Sequence, residues 1–112
     1  MQALQQMTQA NPQVMRRMLE ELHKNLGEEQ VLLSEAVSRQ ALEAVRASLH
    51  RLEGVACLID ALPLAQACAA LSRVCRDPLP NALEAAWTAL EQVMLHLKVD
   101  IDRELVKIPQ EL

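Results

Sequence analysis

A chain of 112 residues suits one domain, and 51% of them are apolar, enough to furnish a core. The chain has 2 Gly, no Phe and no Tyr, and it is dominated by Leu, Ala, Glu, Gln, Arg and Met, which favour helices over sheets. A net charge of −4 and a single Trp leave neither a basic stripe nor stacking platforms for nucleic acid, and no apolar run reaches the ~20 residues of a membrane span.

Residues 1–10, rich in Gln, read as a short polar helix or arm. Asn11-Pro12 is a helix start, Asn as cap and Pro in the first turn. Val14, Met15, Met18, Leu19, Leu22 and Leu26 follow at helical spacing. Gly27 is expected to stop or kink that helix. Glu28 and Glu29 then suit the first turn of a new one, which runs to about Val37 with Leu32, Leu33, Ala36 and Val37 as its apolar side. After a connection at Ser38 to Gln40, a helix from about Ala41 to Ile59 carries the stripe Leu42, Val45, Leu49, Leu52, Ala56 and Ile59.

Asp60 to Pro63 forms a turn, with Pro63 opening the next helix, whose inner face is Leu64, Ala67, Cys68, Leu71 and Cys75. A Pro-marked loop over 76–81 precedes the last helix, with Leu83, Ala86, Leu90, Met94, Leu97 and Ile101 inward and an end near Pro109. Short loops make neighbouring long helices antiparallel. The expected fold is all-α: an up-and-down antiparallel four-helix bundle over 11–112, preceded by the N-terminal arm.

The chain offers little standard catalytic equipment. There is no Gly-rich phosphate loop, no nucleophile elbow and no paired metal-ligand motif, so no ATP-binding activity and no metal are expected in this domain. Cys57, Cys68 and Cys75 fall in helical patterns with no C-x-x-C pair, as small buried or half-buried side chains of a reducing compartment. The segment MQALQQMTQANPQ lacks a signal-peptide core.

Of the three histidines, His23 and His96 read as surface or boundary residues. His50 stands apart. Arg46, Ala47, Glu53 and Gly54 share its helix face, with Cys57 one turn further, while the core stripe passes through Leu49 and Leu52. Gly54 lies inside a helix at a cost of ~1 kcal/mol against Ala. It either admits a neighbouring helix, is merely tolerated, or leaves room for a docking partner.

The run Leu49-His50-Arg51-Leu52-Glu53-Gly54, continued by Val55-Ala56-Cys57-Leu58-Ile59, resembles the signature of histidine-containing phosphotransfer (HPt) domains, His-x-Leu-Lys-Gly. The second part of that signature, Leu-x-x-x-Cys-x-x-Leu, is similar to Leu64-Ala65-Gln66-Ala67-Cys68-Ala69-Ala70-Leu71. The resemblance covers about residues 11–102 and is closest to modules at the C-terminal end of bacterial hybrid sensor kinases. It implies a four-helix bundle that accepts a phosphoryl group on His50 from a receiver-domain aspartate and passes it to another receiver. Mg²⁺ is then expected on the partner receiver, with no nucleic acid and no membrane contact by this domain.

A cytoplasmic location is expected, either alone or as the cytoplasmic C-terminal part of an inner-membrane sensor kinase. Two positions depart from the signature: Glu53 stands where the family often has Lys, and Asp60 where it often has Gly. Arg46 is the first choice to supply the missing cation, then Arg51 and Arg73. Ala47, Gly54 and Cys57 are expected in the docking face. The alternative is a degenerate module that binds a receiver or a partner helix without phosphotransfer, which Glu53 favours.

Overall fold

The computed structural model describes residues 11–77, 79 and 81–108. The expected N-terminal arm, 1–10, lies outside them, as does Pro109. Four helices follow one another: α1, Pro12–Ser38; α2, Leu42–Ile59; α3, Leu62–Arg76; and α4, Ala82–Lys107. They pack as a ring, α1 on α2, α2 on α3, α3 on α4 and α4 back on α1, so that α2 and α4 stand diagonally opposite. The body measures 51 × 22 × 19 Å, and the all-α four-helix bundle expected from the residue pattern is what forms.

The start of α1 forms as its residues dictate. Asn11 Oδ1 accepts from the backbone N–H of Gln13 at 3.1 Å and of Val14 at 3.3 Å, satisfying donors that the first turn leaves unpaired. The expected break at Gly27 does not occur, and α1 runs unbroken through it for 27 residues. A helical glycine costs about 1 kcal/mol against Ala. Leu22, Leu26, Leu33, Ala36 and Val37 on either side are all buried on one stripe, and several kcal/mol of apolar burial outweigh that local preference. Continuity also places Glu29 in mid-helix, on the buried side, rather than in a first turn. Leu32 and Val14, expected inside, are 48% and 46% exposed.

The two turns next to α2 close alike. Ala41 N–H reaches Ala36 O and Ala61 N–H reaches Ala56 O, each at 2.9 Å, with Gln40 and Asp60 at φ 55°. That is the left-handed helix ending that usually takes glycine, so Asp60, where the HPt signature often has Gly, adopts the backbone a glycine would. At the far end, Arg16 on α1 donates through Nη2 to Leu105 O at 3.2 Å and Ile108 O at 2.6 Å. A cation on α1 thus meets the carbonyls closing α4, where the helix dipole favours positive charge.

The core is aliphatic. Val45, Leu49, Leu52, Ala56 and Ile59 of α2 meet Leu64, Cys68, Leu71 and Cys75 of α3 and Leu90, Met94 and Ile101 of α4. Leu42, Ala67, Ala86 and Leu97 sit half-buried at its margin, and Trp87, outside the expected stripe, is buried with it. Among the described residues no helix is long and apolar enough to cross a membrane.

Candidate functional site

His50 lies in the middle of α2 and is exposed, between the buried Leu49 and Leu52. At 3.6 residues per turn, Arg46, Gly54 and Cys57 fall within about 40° of it around the helix, and Ala47 and Glu53 within about 60°. All five are exposed. Cys57 thereby departs from the expected buried or half-buried thiol. A Cβ built on Gly54 would meet no heavy atom within 4 Å. Gly54 therefore does not admit a neighbouring helix of this bundle, and it leaves open surface one turn from the imidazole.

The charges around His50 divide between two sides of α2. Burial pushes the Cys68 thiol up to about 12, with Glu53 adding to the shift. Burial also raises Cys75, against an opposing effect of Arg46. Arg46 and Glu53 are thus near enough to α3 to act on its cysteines, and they lie on the same side of His50 around the helix. Arg51 is turned the other way, about 100° from His50.

On that side it is engaged with α1. Its Nε donates to Glu29 Oε2 at 2.6 Å and its Nη2 to Glu29 Oε1 at 3.0 Å. Ser48 Oγ donates to the same Oε1 at 2.6 Å. Glu29 and Ser48 are 4% and 1% exposed. Burial by itself raises the Glu29 pKa, but the hydrogen bonds from Arg51 and Ser48, with the guanidinium charge, bring it below the ordinary carboxylate value. Arg46, by contrast, makes no ion pair among the described residues.

Glu29 and Ser48 are the polar residues that reasoning from the sequence missed. The signal was present. Glu29 sits in register with Leu22, Leu26 and Leu33, and a carboxylate inside an apolar stripe requires a partner. Reading a helix break at Gly27 removed it from that stripe.

The other two histidines lie elsewhere. His23 Nε2 is 3.2 Å from Asp102 Oδ1 on α4. His96 lines an open cavity of about 360 Å³ with Asp60, Asp100, Leu64 and Leu97, where the α2–α3 turn overhangs α4. Among the described residues no group of three His, Cys, Asp or Glu converges as a metal site.

The bundle and its exposed mid-helix histidine are joined by a comparison with known families. The Hpt domain family model matches residues 2–106. The chain belongs to the Hpt domain family. Hpt domains interact with receiver domains in phosphorelays, and this one carries the corresponding role in two-component signalling. Neither the curated proteins nor the solved structures yielded a match. In this Hpt domain the motif histidine points to solvent, and the motif glycine has open space above it.

Proposed function

We propose that this Hpt domain is a phosphorelay intermediate in which His50 accepts a phosphoryl group from a receiver aspartate and donates it to a second receiver. The observation that carries this reading is the exposed imidazole of His50 beside the open Gly54 on a rigid, core-packed helix. A lone-pair nitrogen of the neutral ring attacks phosphorus in line. The N–P bond forms as the aspartyl O–P bond breaks, and that bond's electron pair leaves with the receiver carboxylate. Charge stabilisation and positioning are the main demands of such a step. Mg²⁺ is assigned to the receiver, so this chain supplies the nucleophile and the surface around it.

Docking over Ala47, Gly54 and Cys57 is transient and of modest area, as relay encounters require. Gly54→Ala is expected to fold at least as stably as the native chain, since helix propensity favours Ala by about 1 kcal/mol. Gly54→Leu is expected to stay folded, because the position is exposed and nothing lies within 4 Å of where its Cβ would stand. It should slow transfer from a receiver by roughly tenfold or more by holding the two reacting centres apart. Stopped-flow transfer beside a urea melt checks both, and wild-type transfer by the Leu variant would remove close approach at Gly54 from the reading.

Arg46 is the cation assigned to the phosphoryl oxygens, in place of the motif lysine that Glu53 replaces. It makes no ion pair among the described residues and is on the histidine face, whereas Arg51 is held by Glu29. Arg46→Ala is expected to shorten the phosphohistidine lifetime or shift the equilibrium toward the receiver by roughly threefold, the scale of an exposed ionic contact after screening. Glu53→Lys should act in the opposite sense, and both effects should shrink in high salt. A double-mutant cycle on lifetime measures the coupling.

The test of the whole reading is incubation with a panel of phosphorylated receiver domains, followed by acid-labile label on this chain. The presence of Glu53 beside the imidazole favours the other reading, a module that binds receivers without transfer. Receiver binding with no label would establish that reading instead.

A further inference from the structure

The buried polar cluster at the α1–α2 seam has no part in the chemistry just described, yet it grips α2 on both sides of His50 in sequence. One carboxylate, Glu29, receives three hydrogen bonds of 2.6 to 3.0 Å from Ser48 and Arg51. These residues stand two before and one after the histidine. A buried ion pair is weak grounds for stability, because desolvation offsets much of its attraction, and its best-attested use is to fix register. The apolar contacts of α2 are ill-suited to that task. Burial of Leu49, Leu52 and Ala56 is non-directional, so it fixes the rotation of α2 less sharply than a hydrogen-bonded pair does. Hydrogen bonds weaken steeply with misalignment, and a bidentate Arg–carboxylate pair adds geometric specificity.

The lever is long. A ring nitrogen about 6 Å from the axis of α2 moves about 2 Å for a 20° rotation of the helix. A misplacement of about 1 Å in a transfer geometry can cost roughly 100-fold in rate.

We infer that Glu29 is a positioning residue for phosphotransfer: through Ser48 and Arg51 it fixes the rotation of α2 about its own axis and so the direction in which His50 meets the receiver. This rests on the phosphorelay reading above. Glu29 and Ser48 are buried, at 4% and 1% exposed, so substituting them removes no exposed group, and Arg51 keeps its place in the chain although released from its carboxylate.

The test is the double variant Glu29→Met, Ser48→Ala. Three quantities are measured: the urea midpoint, the labelling of His50 by phosphoramidate, and kcat and KM for transfer from a phosphorylated receiver that labels the wild type. Phosphoramidate is small and approaches from any direction, so its labelling rate is expected to stay within about twofold. The midpoint is expected to change little, because the buried carboxylate gives way to an apolar side chain and the Arg51 left behind is 49% exposed to water. The kcat is expected to fall about tenfold or more with KM little changed. A wild-type kcat in the double variant overturns the positioning role alone. A wild type that phosphoramidate labels but no phosphorylated receiver does overturns the phosphorelay reading and this inference with it. If the double variant does not fold, Glu29→Gln decides. It keeps shape and one acceptor oxygen, so a reduced kcat at unchanged KM and midpoint supports the role, and an unchanged kcat overturns it.

Discussion

His50→Gln is expected to abolish acid-labile labelling by a phosphorylated receiver, to below about one part in a thousand of the wild-type rate, the loss that follows removal of a nucleophile. The amide nitrogen of Gln has no basic lone pair to attack phosphorus, while its size and polarity suit the exposed helix position. Circular dichroism should therefore show unchanged helicity. Neither remaining histidine is placed to substitute. His23 is held against Asp102, and His96 sits in the cavity at the α2–α3 turn with two aspartates around it. Label that persists in the variant, or that maps to His23 or His96, removes His50 from the role.

Arg51→Ala should produce the largest loss of stability from a residue that shows at the surface. Breaking one side of a buried pair costs roughly 3–5 kcal/mol when the other charge is stranded. Here the Arg51 side chain is 49% exposed, so water reaches Glu29 once the guanidinium is gone. The expected loss is accordingly about 2–3 kcal/mol. The sign of its pH dependence follows from Glu29, whose pKa in the fold lies below the ordinary 4.5. Such a group contributes stability above its unfolded pKa, and the contribution is lost as pH falls through the folded value. The gap between wild type and Arg51→Ala should be full at neutral pH and should narrow as the solution is taken to about pH 3. Urea unfolding of both proteins at the two pH values measures it. A gap of equal size at both would show that the loss comes from the aliphatic part of Arg51 rather than from its charge.

The two predictions concern adjacent residues and separate the two tasks of α2. In the proposed relay one residue faces the partner and carries chemistry without supporting the fold. Its neighbour, about 100° around the helix, supports the seam with α1. Their adjacency is what would give the seam its leverage over the imidazole in the proposed transfer.

Local sequence chemistry determined much of this protein. The three- and four-residue spacing of apolar side chains specified the helical segments, although the first was read as divided at Gly27. Asn11-Pro12 placed the first helix start, where the Asn11 side chain does cap α1, and Pro63 lies in the first turn of α3. The exposure of His50 followed from the same spacing, because a stripe through Leu49 and Leu52 leaves position 50 on the far face. These properties depend on neighbours within a turn or two, which the sequence displays directly.

Tertiary structure decided the rest. At Gly27 the local preference is for an ending, but burial of Leu26 and Leu33 against other helices carries α1 through it. Whether Gly54 faced a helix or open space depended on where α1 and α3 lie, and neither comes within 4 Å of its Cβ position. The sequence ranks Arg46 ahead of Arg51 by helix face, but it does not show what engages either of them. Only the packing of α2 on α1 commits Arg51 to Glu29, 22 residues away. A charged pair of that separation is specified by the way two helices meet, and the pattern of either helix alone does not contain it.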